Sequence, residues 1–476
     1  MDKRKIRDGI RLLWTFLLMV LIGFVSAGAG NNDKSWLKIY YESEGLKRII
    51  ANPLSEIDSV WYESEGEELL LKVASGWNDN AMEVNVDSIQ SMVLGNNIPT
   101  LYIDTDPYVD EISSKEDYLE AKFRFIPCDE SMDSVVAEVG IRGRGNSSWE
   151  HPKKPYRLKF DKKQSIGHLN KAKSFVLLSN YIDNTLMKNA VAFKIAELLG
   201  MPYTNKVIPV NLVFNGQFRG NYMLSNKVGI NSGSVDIDEK KGILWELDTY
   251  FDEEFKFISS RYNLPCMVKD PDFHEIAKED EAEIDRLWQY WQNDLESALE
   301  EVANGNLREV FDVEQLINYL IVQNIVGNKE VRYPKSLFIY KESEGEKYKF
   351  GPVWDFDYAF GYDGDVTEEL FIIYRPIWKF MVRIFVDQRF LEKYKNKFNE
   401  FCEEKLDDLM AYIDWYADQC KDSAIQDAMR WPEEHYSFIE TQERNTNQFE
   451  ENVKFIKSWI LERIRLIKEH ENCMLW

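Results

Sequence analysis

As far as about Glu368, apolar residues mostly fall in short runs or alternate with polar ones, the period of strands. Beyond it they recur every three to four residues, the period of helices. The run Leu69-Leu70-Leu71-Lys72-Val73, bounded by polar turns, and Val84 to Leu94 close a small β-rich unit over residues 33–96. The string ESEG at 42–45, 63–66 and 342–345 has no fixed spacing and reads as acidic turns, not a repeat fold. Asn96-Asn97-Ile98-Pro99 marks the boundary to a second, larger domain over 98–476. There, Thr100 to Asp104, Glu120 to Ile126 and Glu138 to Ile141 read as strands. In Pro155 to Phe160, Tyr156, Leu158 and Phe160 alternate with Arg157 and Lys159. A helix is expected over Thr185 to Leu199, capped by Asn184 or Thr185 and ended by Gly200 and Pro202. The Asn215-Gly216 turn joins Ile208–Phe214 to Arg219–Leu224 in a hairpin. Ile243–Leu247, Ser336–Tyr340 and Lys347–Val353 are further strands, and Val453, Ile456, Ile460, Ile464 and Ile467 stripe a terminal helix. Strands first and helices later predict an α+β domain with a C-terminal helical part.

The first 29 residues carry a different signal. Lys3, Arg4, Lys5, Arg7 and Arg11 precede an apolar stretch from Leu12 to Val25, and Ala27-Gly28-Ala29 offers small residues for cleavage. The stretch is short for a span and suits a secretory signal peptide, so export to the periplasm, cell surface or medium is expected. A membrane would be met only through this segment left uncleaved.

A net charge of −24 repels phosphate backbones and excludes nucleic acid as an expected partner. Hydrophobic content of 44% and aromatic content of 14% fit a packed globular protein. The five cysteines are scattered, with no CxxC, which excludes a zinc ribbon and a dense disulfide scaffold; Cys402 and Cys420 could pair, but buried thiols are the expectation. Walker A, GxGxxG, GxSxG and HExxH motifs are absent.

Three clusters carry chemistry. In Arg142 to Trp149 (RGRGNSSW), followed by KKPYRLK, glycines beside arginines let backbone approach a ligand and supply cations for a phosphate; a plain turn with surface charges is the simpler alternative. In Pro352-Val353-Trp354-Asp355-Phe356-Asp357, a strand would turn both carboxylates to one side, as Mg²⁺ or Mn²⁺ requires; capping of a strand end is the alternative. In Asn328-Lys329-Glu330, followed by Pro334-Lys335-Ser336, an acid could accept a proton from a hydroxyl nucleophile, or the stretch is a polar loop.

Taken in order, RGRGNSSW, KKPYRLKF, LLSNYIDNTLMKNAVA (177–192), NGQFRGNYML (215–224), LWELD (244–248), NYLIVQNIVGN (318–328) and GPVWDFDYAFG (351–361) resemble the CotH (spore-coat H) kinase-like family, in a form like that of exported Bacteroidetes members. The resemblance implies a divergent protein-kinase-like fold and transfer of phosphate from ATP, with Mg²⁺ or Mn²⁺, to exposed serines of a protein substrate. It implies that Arg144 and Lys159 contact nucleotide phosphates, that Asp355 and Asp357 hold the metal, and that Glu330 is the catalytic acid position. Three positions depart from the family. Glu330 stands where active members have Asp; the added methylene moves the carboxylate by roughly 1.5 Å, and about 1 Å of misplacement can cost ~10²-fold in rate. Lys335 stands where a kinase loop places a metal-binding Asn, so it serves a phosphate but not a metal. Asn226 replaces the usual Glu. Two functions are therefore expected in competition: an exported atypical serine/threonine kinase, or a degenerate kinase-like fold that binds or scaffolds at the cell surface.

Overall fold

The structure, a computed structural model, describes residues 36–53, 57–65, 68–75, 81–94, 97–362, 376–432 and 449–470. The expected signal segment and Cys473 lie outside the described residues. Among those residues no helix is long and apolar enough to cross a membrane.

The N-terminal unit is two antiparallel three-stranded sheets. In one, β1 (Trp36–Ser43) lies between β2 (Leu46–Pro53) and β6 (Ile89–Leu94). In the other, β4 (Glu68–Ser75) lies between β3 (Ile57–Glu65) and β5 (Met82–Asn85). Leu37, Ile39, Ile50, Leu71, Val73 and Val84 form their shared core. The first ESEG is the β1–β2 turn.

Seven strands then close a barrel: β7 (Thr100–Thr105), β8 (Leu119–Ile126), β9 (Val135–Gly143), β10 (Tyr156–Gln164), β11 (Ala172–Leu178), β12 (Val207–Phe214) and β13 (Gln217–Asn226). All pairings are antiparallel except β12 with β7. The alternation on β10 works as its pattern predicts: Tyr156, Leu158 and Phe160 fill the barrel, and Phe160 meets Phe123 and Phe175 edge-on at 5.0 and 5.8 Å. Arg157 and Lys159 are left on the outer face.

Between β11 and β12 stands helix α1, which runs Lys188–Leu198, later than expected. Leu186 has φ 56°, which an α-helix excludes, and the Asp183 carboxylate accepts the Thr185 and Lys188 amides at 2.9 and 2.8 Å. Neither expected cap serves: Met187 is the N-cap residue and makes no side-chain cap bond, and the first helical amide is taken by Asp183, one residue before Asn184 and two before Thr185.

A second sheet orders its strands β15 (Lys256–Ile258), β16 (Pro265–Asp270), β14 (Ile243–Leu247), β17 (Leu337–Lys341), β18 (Lys349–Phe350). Helices α2 (Phe273–Ala277), α3 (Glu281–Asn304), α4 (Leu307–Val310) and α5 (Val313–Val326) interrupt it between β16 and β17. Strands and helices are therefore mixed here rather than sequential. The fold is α+β, but α5 is buried on every side from Gln315 to Val326 and so shows no stripe in sequence. Helices α6 (Pro376–Phe385), α7 (Gln388–Glu404), α8 (Leu406–Arg430) and α9 (Phe449–Glu469) follow, as the late periodicity predicts.

Helix α8 ties the parts together. Its Ile425 and Met429 pack with Trp36, Ile49 and Ala51 of the N-terminal unit against Tyr102, Ile126 and Val213 of the barrel. Asp422 pairs with Lys38 at 2.6 Å, and Asp427 with Lys153 at 2.6 Å. Cys128, Cys266, Cys402 and Cys420 are free thiols.

Candidate functional site

Where the outer face of the barrel meets the second sheet lies a cavity of about 510 Å³, within the roughly 300–1,000 Å³ usual for small-molecule sites. Each wall follows from strand register. Arg142 of β9 pairs with Arg157 of β10, which pairs with Val176 of β11, so these side chains form a row across the barrel face. Arg144 extends that ladder past the strand end, its amide donating to the Pro155 carbonyl at 3.2 Å. In the RGRGNSSW loop, Gly143 makes room for the Trp149 ring, whose nearest carbon would lie 2.4 Å from a Cβ, rather than for a ligand. Gly145 takes φ 84°, a left-handed turn that sends Asn146, Ser147 and Ser148 into the lining.

On the opposite wall, β14 alternates through Leu244, Glu246 and Asp248, and the last two line the cavity. The Asp248 carboxylate accepts the Tyr250 amide at 2.8 Å and the Ser336 amide at 3.0 Å, which fixes the loop carrying Lys335. Glu330 sits in a one-turn 3₁₀ segment, Lys329–Val331, capped by Asn328.

The segment 352–358 is not a strand, contrary to the expectation that a strand aims its two carboxylates. Asp355 is left-handed, with φ 63°, and Ser336 Oγ donates to its carboxylate at 3.4 Å. Asp357 is aimed by α1: Asn189 Nδ2 donates to it at 2.9 Å while Asn189 Oδ1 accepts the Phe356 amide at 3.0 Å, and Lys188 Nζ donates to the Asp357 carbonyl at 3.0 Å.

Of the six site residues expected from sequence, Arg144, Glu330, Lys335, Asp355 and Asp357 line this one cavity, and Lys159 does not. Lys159 pairs with Gly140, a step farther from the loop, and its exposed ammonium lies 5.9 Å from the Tyr118 ring centre. Arg157, two residues earlier on the same face, is the β10 cation in the lining. Asn226 is also outside it; its amide donates to the Asn170 carbonyl at 3.0 Å, so only two of the three family departures fall in the site. Sequence reasoning missed Asn189, Asp248, Lys227 and the Glu246–Lys269 pair, which closes at 2.7 Å. The signal present was two acids at i and i+2 in the otherwise apolar LWELD strand.

The acids crowd one another. Burial, then Asp355, pushes Glu330 up to about 8, with Lys335 opposing. Burial, then Asp355 and Asp183, pushes Asp357 up to about 7. Burial raises Asp355, and Arg144 opposes it. Buried carboxylates held this close resist ionisation unless a cation joins them. Among the described residues no three His, Cys, Asp or Glu side chains enclose a metal by themselves. Mg²⁺ ordinarily takes one or two carboxylates and completes its shell with water and substrate phosphate. Asp355 and Asp357 beside open space fit that use.

The family model described as CotH kinase protein matches residues 141–467. The chain belongs to the CotH kinase family. The match begins inside β9, so β7 and β8, which complete the barrel of this CotH protein, lie ahead of the matched span together with the N-terminal unit. No curated protein matches the chain.

Proposed function

We propose that this CotH protein is an exported, atypical serine/threonine protein kinase with a divergent kinase-like architecture, moving phosphate from ATP to an exposed hydroxyl of a surface protein. The observation that carries the reading is the meeting of Arg144, Glu330, Lys335, Asp355 and Asp357, from three separate stretches of chain, on one cavity. ATP with Mg²⁺ or Mn²⁺ would supply the transferable phosphoryl group and neutralise its charge. Asp355 and Asp357 hold the metal in this reading, and Asn189 keeps Asp357 aimed. Arg144 and Lys335 present fixed positive charge to phosphate oxygens. Glu330 is the base for the acceptor hydroxyl; a carboxylate whose affinity for protons lies near neutrality accepts one without being empty of purpose at working pH.

One observation favours the degenerate-scaffold reading: Glu330 and Lys335 both line the cavity at the positions of departure from the family, and the ammonium of Lys335 stacks on Tyr250 at 4.7 Å. An exported kinase also meets little ATP outside the cytoplasm, and a poorly supplied ligand leaves its site empty by mass action. Calorimetric titration of the purified chain with ATP and Mg²⁺ or Mn²⁺, followed by phosphotransfer to serine-rich peptides, separates the two. Binding and transfer are expected; absence of binding by the wild type favours the scaffold. N-terminal sequencing of native material tests export, with residues 1–29 expected to be missing.

A further inference from the structure

The carboxylates of the cavity gather around Glu330, Asp355 and Asp357, and the roles above leave Lys115, Arg142, Arg157, Lys227 and Lys269 of the lining unassigned. Three of these are already committed. Lys115 donates to the Gly145 carbonyl at 3.1 Å. Arg142 donates to the Lys115 and Glu116 carbonyls, and Lys269 is ion-paired with Glu246 at 2.7 Å and Glu253 at 3.0 Å. Arg157 and Lys227 differ. Both line the cavity, and neither side chain makes a hydrogen bond or ion pair among the described residues. Arg157 Nε is buried and without a partner. Register makes the two cations neighbours: Arg157 pairs with Val176, Val176 pairs with Ser225, and Lys227 follows two residues on, its amide bonded to the Ser174 carbonyl. Burial and the charge of Arg157 push Lys227 down to about 8; Asp270 attracts it but is engaged by the Ile230 amide at 2.9 Å. Two like charges held together and partly out of water are costly unless an anion joins them.

We propose that Arg157 and Lys227 bind the phosphoanhydride chain of the donor, so that the cavity recognises linear polyphosphate itself and not only a nucleotide. This rests on the reading of the cavity as a phosphate-donor site. A chain, rather than one phosphate, matches the layout. Arg144 stands two residues beyond Arg142, the cross-strand partner of Arg157, which at about 3.3 Å per residue places it some 7 Å along the sheet toward the acids. The ligand that touches the metal carboxylates at one end and Arg157 and Lys227 at the other is extended and polyanionic. Seven Lys or Arg side chains and seven carboxylates line the cavity, although the chain as a whole carries 58 bases against 82 acids. An anion is thus drawn to this part of an otherwise repelling surface.

The test is calorimetric titration of the full chain, with Mg²⁺, using ATP, inorganic tripolyphosphate and orthophosphate in turn. The proteins are wild type, Arg157→Gln, Lys227→Gln, Lys227→Arg and Lys159→Gln. Tripolyphosphate should bind the wild type, compete with ATP and weaken steeply with added salt. Arg157→Gln and Lys227→Gln should each lose tenfold or more in affinity for it, Lys227→Arg should retain most of it, and Lys159→Gln should match the wild type. Melting temperatures at or above that of the wild type would show that the Gln variants are folded. ATP binding without tripolyphosphate binding, or full tripolyphosphate affinity in both Gln variants, would overturn the proposal while leaving the kinase reading intact. Tripolyphosphate binding with no ATP binding would do the reverse. Binding of neither would end both.

Discussion

Two groups of buried charges in this CotH protein invite comparison. Around α8, Lys153 Nζ donates to Asp427 at 2.6 Å and to the Asn221 carbonyl at 2.6 Å, and the same carboxylate accepts the Asn221 amide at 2.8 Å. Both side chains are wholly buried. In the cavity, acids are raised by burial and then by one another, and the Arg157 and Lys227 side chains make no hydrogen bond or ion pair among the described residues. The closed pair is complete within the protein and therefore structural. The open set is incomplete, and a ligand that supplies metal and phosphate completes it. Burial of charge does not by itself distinguish a brace from a binding site; the presence of unmet partners does.

The comparison breaks most sharply at the brace. Lys153→Met should leave Asp427 as an uncompensated buried charge and cost about 3–5 kcal/mol, read as a large fall in melting temperature, whereas Lys153→Met with Asp427→Leu should recover much of it. An undiminished melting temperature in the single variant would place the two groups in one class. Next comes Asp355→Asn in the cavity. It should weaken metal-dependent nucleotide binding about a hundredfold, close to 2.7 kcal/mol, without lowering the melting temperature, since it relieves the repulsion that Asp355 exerts on Glu330 and Asp357. Glu330→Gln should spare binding and reduce phosphotransfer. Binding that survives Asp355→Asn would move the metal ligand elsewhere. A smaller effect belongs to Asn189→Ala, which strands the Phe356 amide and frees Asp357; about 1–3 kcal/mol of stability should go, with weaker Mn²⁺ binding by titration.

The mildest effect is one of pH. Glu330 and Asp357 hold protons in the folded protein that the unfolded chain releases near pH 4–5. The native state therefore binds more protons than the unfolded state between about pH 5 and 8, and stability falls as pH rises through that window. Melting curves should show this decline without divalent metal. Mg²⁺ should reduce it, and Asp357→Asn should flatten it. A stability that climbs from pH 5 to 8 and is indifferent to Asp357→Asn would contradict the crowding.

What could be read in the sequence followed the local rules. The β10 alternation, the Asn215-Gly216 hairpin, the LWELD strand and the α9 stripe are each set by a period or a turn within one segment. The ordered motifs located five of the six expected site residues in the cavity lining. The failures share a cause, because each depends on something outside its own segment. Helix α5 shows no face because every side is covered. The 352–358 segment looks like a strand, but Asn189 from a distant helix and a left-handed Asp355 determine its path. Arg157 and Lys159 share a face, and only the Gly140 and Arg142 pairings decide which meets the cavity. Lys227 carries no motif at all; three-strand register brings it into the site.

The ion pair between Lys38 and Asp422 joins residues 384 positions apart. A chain made from its N-terminus exposes β1 early, yet the apolar docking surface of Trp36, Ile49 and Ala51 finds its partners on α8 only when almost the whole sequence has emerged. Until then the N-terminal unit can form its own hairpins but not its seat. Docking of the N-terminal unit, begun against Tyr102, Ile126 and Val213 of the barrel, is thus completed late in synthesis. Nascent chains stalled just short of α8 should therefore be far more open to protease than chains stalled just beyond it.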